Sequence, residues 1–232
     1  GRGTGPEQDG GELSSDAVIV TAAGSSNRWA DQQKKEYASL DDRPVLSRAL
    51  EPFLEITPAL HVLITLPEAD IPMVRELLQR YIESEQFQFI GGGNYRQESV
   101  RLGLEALEPE QPHIVLIHDG ARPWIDGALI ERVLEGTRKW GACIPVVDAS
   151  EAPKRVGPSG LILEDLPREQ CKLAQTPQGF LFSRILEAHR RTKDSPHLFL
   201  DDAEVYAACW SGVFTVPGDR RNKKITFKED LP

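Results

Sequence analysis

Apolar and polar positions along this chain fall into two alternating textures. Short apolar runs rich in β-branched residues, bounded by turn residues, occur at Ala17–Thr21, Leu60–Thr65, Phe87–Ile90, Ile114–His118 and Cys143–Val147. Their length and composition predict strands. Between them, Pro44–Leu54, Ile71–Ser84, Arg96–Leu107 and Gly127–Lys139 carry apolar residues at helical spacing, so each predicts a helix with one face turned to a core. Strands alternating with helices in this way build βαβ units and a largely parallel sheet.

The alternation breaks after Asp148. Two strand-like pieces, Lys154–Val156 and Leu161–Leu163, flank the turn residues Gly157-Pro158-Ser159-Gly160, which predicts a hairpin projecting from the domain. Helices at Leu181–Arg191 and Asp202–Trp210 and strands at Val213–Val216 and Lys224–Phe227 are expected to return to the core.

Composition sharpens this picture. The chain has 232 residues, 40% of them hydrophobic, which suits one α/β domain with an insertion. Residues 1–16 are rich in Gly, acidic and small polar residues and read as a disordered tail, leaving 17–232 as a single domain. No apolar run approaches the roughly 18 residues that cross a bilayer, so no membrane partner is expected. Cys143, Cys171 and Cys209 are scattered and odd in number, which argues for a reducing, cytoplasmic setting rather than a disulfide framework. A formal net charge of −9 disfavours nucleic acid as a partner. Cations nevertheless cluster: Arg28 with Lys34 and Lys35, Lys154 with Arg155, and Arg220, Arg221, Lys223 and Lys224. Local clusters of this kind fit a small anionic ligand.

Candidate chemistry begins where the first strand ends. Val20-Thr21-Ala22-Ala23-Gly24-Ser25-Ser26-Asn27-Arg28 runs from a strand into a loop of small residues closed by an arginine. Small residues let backbone N–H groups approach phosphate oxygens, and the cation neutralises them. The loop matches neither G-x-x-x-x-G-K-[ST] nor G-x-G-x-x-G, which leaves out a P-loop and a dinucleotide fingerprint. Asp119 stands at the carboxyl end of a predicted parallel strand, the edge where open α/β sheets place ligands.

Further pieces keep a fixed order. Gln33-Lys34-Lys35-Glu36-Tyr37 precedes Pro44-Val45-Leu46, and Gly91-Gly92-Gly93-Asn94-Tyr95-Arg96-Gln97-Glu98-Ser99-Val100 precedes Val115-Leu116-Ile117-His118-Asp119-Gly120-Ala121-Arg122-Pro123. Ala174-Gln175-Thr176-Pro177-Gln178-Gly179-Phe180, Asp201-Asp202-Ala203 and Gly218-Asp219-Arg220-Arg221-Asn222-Lys223-Lys224-Ile225-Thr226 follow. Over roughly residues 17–231 this series resembles the 2-C-methyl-D-erythritol 4-phosphate cytidylyltransferase family.

The resemblance implies a Rossmann-like, mostly parallel α/β sheet flanked by helices, with a projecting β-arm at about 148–168. It implies transfer of CMP from CTP to a polyol phosphate, 2-C-methyl-D-erythritol 4-phosphate, with release of pyrophosphate. Arg28 and Lys35 then fall where the α-phosphate is stabilised, and Ala22, Ala23, Gly24, Gly93, Asn94 and Ser99 where cytosine and ribose are held. Asp119 and Asp201 correspond to Mg²⁺ ligands, with Asp202 adjacent as an alternative, and Arg122, Ser150, Arg168 and Thr176 to the acceptor pocket. The arm is expected to cross to a second copy, making a homodimer.

Several positions depart from the family pattern. Ser26 replaces a glycine, Trp29 a methionine and Gly120 an alanine, and Ala149 stands in place of an expected threonine, with Ser150 beside it to supply a hydroxyl. The altered arm keeps open a cytidylyltransferase for another acceptor, such as ribitol 5-phosphate. A non-catalytic nucleotide-binding regulator is the alternative from another class.

Overall fold

The structure is a computed structural model that describes residues 16–22, 34–83, 87–226 and 228–232. The expected tail and the loop carrying Ala23, Gly24, Ser26, Arg28 and Trp29 lie outside the described residues, apart from Asp16. That residue is tied into the fold: its carboxylate accepts from the Ile114 N–H at 3.2 Å and pairs with Arg138.

Twelve strands and six helices carry the architecture among the described residues. In chain order the strands are β1 (Ala17–Thr21), β2 (Ser39–Leu40), β3 (Arg43–Pro44), β4 (His61–Leu66), β5 (Phe87–Gly91) and β6 (Ile114–Asp119). They continue with β7 (Ala142–Asp148), β8 (Lys154–Val156), β9 (Ile162–Asp165), β10 (Lys172–Ala174), β11 (Gln178–Leu181) and β12 (Phe214–Pro217). The helices are α1 (Val45–Leu54), α2 (Ile71–Gln79), α3 (Arg96–Leu107), α4 (Gly127–Trp140), α5 (Phe182–Thr192) and α6 (Asp202–Ala207).

Across the main sheet the order is β5, β4, β1, β6, β11, β7. The first four are mutually parallel, β11 runs antiparallel between β6 and β7, and β10 and β12 also pair with β7. The result is a mixed sheet with a parallel core.

Alternation along β1 and β6 explains the layers. Val18, Val20, Ile114 and Leu116 face α1, α2 and α4, while Ala17, Ile19, Val115 and Ile117 face α3, α5 and α6. A strand buried on both faces reads as a continuous apolar run, which is why these two were plain in the sequence. Local signals set the helix ends: the Asp126 carboxylate caps α4 by accepting from the Leu129 N–H at 2.9 Å, and Gly141, at φ 84°, ends it. Only glycine takes that conformation freely.

Differences from the expected elements have physical causes. α2 ends at Gln79, yet Ile82 stays buried because a further turn bonds its N–H to the Leu78 carbonyl. Ala208, Cys209 and Trp210 likewise follow α6 as a closing turn. Lys224, Ile225 and Thr226 form no strand: Ile225 is buried beside Ala38, Leu40 and Val45, and its N–H bonds to the Ala121 carbonyl. The hairpin is present as β8 and β9, antiparallel and exposed. No helix among the described residues is long and apolar enough to cross a membrane.

Candidate active site

Among the described residues, the carboxyl edge of the parallel strands gathers Asp119, Arg122 and Thr176, with Ala22, Gly93 and Asn94 following strands that end there. Thr21 and Asp119 end neighbouring strands in register, and the Gly120 N–H reaches back to the Thr21 carbonyl at 2.9 Å. A β-carbon at position 120 would lie 3.0 Å from that same oxygen and 3.1 Å from Leu46, so an alanine there would require its neighbours to give by a few tenths of an ångström. Ala22 leaves β1 with its N–H bonded to the Thr65 carbonyl at 2.8 Å.

Gly93 and Asn94 follow β5 on the same edge. Their N–H groups are taken by the side chains of α3's first turns: Gly93 donates to the Ser99 hydroxyl at 3.0 Å and Asn94 to Glu98 at 2.7 Å. Ser99 is fully buried and also donates to the Tyr95 carbonyl. These contacts preset the turn that leads into α3. Lys35 opens a short 3₁₀ turn, Lys35–Tyr37, anchored by Tyr37 and Lys34 on Asp70.

Asp119 is the electrostatic focus. Arg96 Nε reaches its Oδ1 at 3.2 Å, while Arg122 Nε at 3.2 Å and Lys224 Nζ at 3.4 Å reach Oδ2. Burial alone would raise this carboxyl, but Lys224, Arg96 and Arg122 outweigh it and hold it well below the usual range. It is therefore an anion throughout the working pH range.

A polar belt fixes the strand end behind it. The Asp119 N–H donates to the Thr176 hydroxyl at 3.0 Å, and that hydroxyl donates to His118 Nδ1 at 2.9 Å. His118 Nε2 then carries the hydrogen that goes to the Arg122 carbonyl. The ring is thus neutral, and burial pushes it down to about 4 even beside Asp119. Asn222 donates to the Thr176 carbonyl and Gln175 donates to the carbonyls of Asp219 and Asn222, which stitches the last motif onto this edge.

The two aspartates of Asp201-Asp202 part company. Asp201 caps α6, its Oδ1 accepting from the Glu204 N–H and its Oδ2 from Gln178. Asp202 turns inward, almost fully buried, to Arg96 and His189. Burial raises the Asp202 carboxyl, and Arg96 and His189 more than reverse it. Asp119 and Asp202 thus share Arg96, whereas Asp201 bonds elsewhere. Among the described residues no group of three or more His, Cys, Asp or Glu forms a metal site. Magnesium characteristically takes only one or two protein carboxylates and fills its remaining positions with water and substrate phosphate, a requirement Asp119 suits.

The residues expected to hold the acceptor separate in the same way. Arg122 and Thr176 belong to the edge just described, with Arg122 also donating to the Asn222 carbonyl at 2.8 Å. Ser150 and Arg168 sit exposed at the two ends of the arm. Asp148 ties the arm's start to Lys172, and its carbonyl accepts from Arg220. Arg96, His189, Gln178 and Lys224 carry roles that the motif spacing did not assign, although three of them stood inside quoted motifs. Only His189, on α5, had no sequence signal.

An open α/β sheet with its cations and a buried carboxylate gathered at the carboxyl edge defines a nucleotide-binding domain of the phosphate-handling kind. Comparison with known proteins resolves the class further. The family model for IspD, 2-C-methyl-D-erythritol 4-phosphate cytidylyltransferase, matches residues 17–232. The chain belongs to this family and carries its cytidylyltransferase domain.

The chain is 35% identical over 214 residues to the 2-C-methyl-D-erythritol 4-phosphate cytidylyltransferase of Bacillus cereus, covering 92% of this chain and 93% of that protein. It is 39% identical over 219 residues to the bifunctional enzyme IspD/IspF of Rhodopseudomonas palustris, covering 93% of this chain but 53% of that protein. The chain thus spans about half the length of the bifunctional curated relatives it matches. Among solved structures, the cytidylyltransferase of Thermus thermophilus superposes with a TM-score of 0.75 at 31% identity, covering 93% of this chain and 94% of that one. The synthase of Anaerococcus prevotii gives 0.83 at 25% identity, covering 94% and 92%.

Proposed function

We propose that this chain transfers CMP from CTP to 2-C-methyl-D-erythritol 4-phosphate, releasing pyrophosphate and forming 4-diphosphocytidyl-2-C-methyl-D-erythritol. The observation that carries the reading is the convergence of Arg96, Arg122 and Lys224 on Asp119 at the carboxyl edge of β6. Three cations against the two carboxylates Asp119 and Asp202 leave an excess of positive charge suited to a polyphosphate.

The acceptor's phosphate monoester is already largely ionised, with a second pKa near 6. Its oxygen attacks the α-phosphorus without a protein base. What the residues supply is alignment of two polyanions and charge stabilisation. Arg28 and Lys35 take the α-phosphate, Arg122 and Lys224 the incoming phosphate, and Thr176 keeps Asp119 in place. Ala22, Ala23, Gly24, Gly93, Asn94 and Ser99 shape the cytidine side.

Asp119 would hold Mg²⁺ together with substrate phosphates, and Asp201 would need to give up its α6 cap to join it. When bound, the ion supplies neutralisation of the triphosphate. Ser150 and Arg168 reach an acceptor through a second copy of the chain, with the exposed arm crossing between subunits of a homodimer. The three cysteines are free, which supports a cytoplasmic setting.

The test is pyrophosphate release with CTP and Mg²⁺, comparing 2-C-methyl-D-erythritol 4-phosphate with ribitol 5-phosphate. Turnover with the first acceptor and little with the second is expected. Preference for ribitol 5-phosphate would reassign the acceptor, and release with neither would favour a nucleotide-binding regulator.

A further inference from the structure

We propose that Arg96 is a positioning residue that clamps one oxygen of Asp119, so that the other oxygen alone exchanges partners during turnover. The inference rests on the proposed role of Asp119 in holding substrate charge.

The contacts divide by oxygen. Arg96 takes Oδ1, whereas Arg122 and Lys224, which belong with the incoming phosphate, both take Oδ2. A polyphosphate arriving at this edge draws Arg122 and Lys224 toward itself and frees Oδ2. Nothing comparable draws Arg96 away, because its other arm is held from behind. Its Nη1 donates to Asp202 Oδ2 at 2.9 Å, and Asp202 Oδ1 accepts from His189 Nε2 at 3.0 Å. A carboxylate only accepts, so His189 Nε2 carries a hydrogen, and among the described residues Nδ1 has no hydrogen-bond partner.

This chain of contacts links four elements: the first residue of α3, the first residue of α6, the last turn of α5 and the end of β6. His189 and Asp202 are 0% and 1% exposed. An ion-pair network so buried is a poor source of net stability compared with apolar packing. The planar guanidinium fork spans two carboxylates at once, which a lysine ammonium on a flexible stem does not do. A shell behind the substrate-facing carboxylate fits both facts.

Steady-state kinetics of pyrophosphate release and calorimetric binding of CTP in Mg²⁺ test the clamp in the purified chain, with melting temperatures recorded for each variant. Arg96→Gln is expected to lower kcat by roughly 10- to 100-fold while the CTP dissociation constant changes by less than about 3-fold. Arg96→Lys, which keeps the charge but loses the fork, should restore little of that loss. Asp202→Asn should reproduce part of it, and the double variant Arg96→Gln with Asp202→Asn should be no slower than Arg96→Gln alone, since both act through one guanidinium.

Additive losses, full rescue by lysine, or a fall in CTP affinity equal to the fall in kcat would overturn the clamp. Should Arg96→Gln not fold, the lysine variant and Asp202→Asn still decide it. A parent chain without turnover, or an Asp119→Asn chain with normal turnover, would instead overturn the functional reading on which the clamp rests.

Discussion

The end of β6 and the arm formed by β8 and β9 are prepared for their work in opposite ways. At the end of β6, His118, Asp119, Thr176, Asp202 and His189 are all buried, and each is tied to a neighbour within the same chain. On the arm, Val156, Leu161, Ile162 and Leu163 are about half exposed or more, and the ion pairs Lys154–Asp165 and Arg155–Glu164 lie on the surface. The first region is preorganised electrostatics, in which geometry is set before a substrate arrives. The second leaves apolar side chains exposed, the surface on which the proposed contact with a second copy would form. Among the described residues, one region thus pairs its charges within the chain while the other leaves apolar side chains exposed.

Removing the charge at the centre should produce the largest effect. Asp119→Asn leaves Arg96, Arg122 and Lys224 without their shared anion. Turnover should fall roughly 100- to 1,000-fold, and stability should drop by only about 1 kcal/mol, because the cations that lose their anion are partly exposed and solvent screens much of the loss. Pyrophosphate should raise the variant's melting temperature more than the parent's, since it refills the anionic position. Equal shifts would mean that the three cations do not act as a polyanion site.

The second test also addresses the buried end. His118 is held near 4 against an ordinary value of 6.5, with burial as the chief cause. As pH falls, the unfolded chain takes up this proton before the folded one. Stability is therefore lost between pH 6.5 and 4 and levels off below, a contribution of about 3 kcal/mol. Asp119 and Asp202 act in the same direction but lower: their depressed carboxyls contribute above the ordinary carboxylate range, and that contribution is lost as pH falls through their folded values. Urea unfolding of His118→Gln across this range should show a flatter slope than the parent between pH 6.5 and 4. An unchanged slope would place the titration elsewhere.

Much of the fold was legible because the central strands are apolar on both faces, which needs no tertiary knowledge to read. β11 was not, since Gln178-Gly179-Phe180-Leu181 after a proline reads as a loop. Its strand character depends on α4: a β-carbon at Gly179 would lie 2.1 Å from the Thr137 hydroxyl, so glycine is what lets the helix settle on the sheet. β10 is exposed throughout and exists through pairing with β7. The site was legible as an ordered set of motifs, but the partition of Asp201 to a helix cap and Asp202 to Arg96 was not. Neighbours in sequence carry no record of which way each side chain turns at the start of a helix.

On the arm, the larger effect should come from its apolar side chains. Leu161→Ser combined with Leu163→Ser should weaken self-association about 100-fold or more if each buried leucine is worth about 1.5 kcal/mol or more. Sedimentation equilibrium reads this directly. The melting temperature of the dilute monomer should barely move, because these side chains are already exposed in one chain. A parent that is monomeric at high micromolar concentration would remove the arm from the interface.

The smallest effect distinguishes covered from uncovered arm surface. Arg155 Nε pairs with Glu164 Oε2 at 3.0 Å, with both side chains more than half exposed. A pair in that position gains little over its hydration, so Arg155→Ala should change stability by less than about 1 kcal/mol. Its salt dependence should be correspondingly weak, because screening has little attraction to remove. Measured by urea unfolding at two protein concentrations, the change should be the same at both. A larger loss appearing only at the higher concentration would mean that a second chain buries the pair. The boundary between the arm's solvated face and its covered face would then have to run through β8 and β9 rather than along the leucines beside their turn.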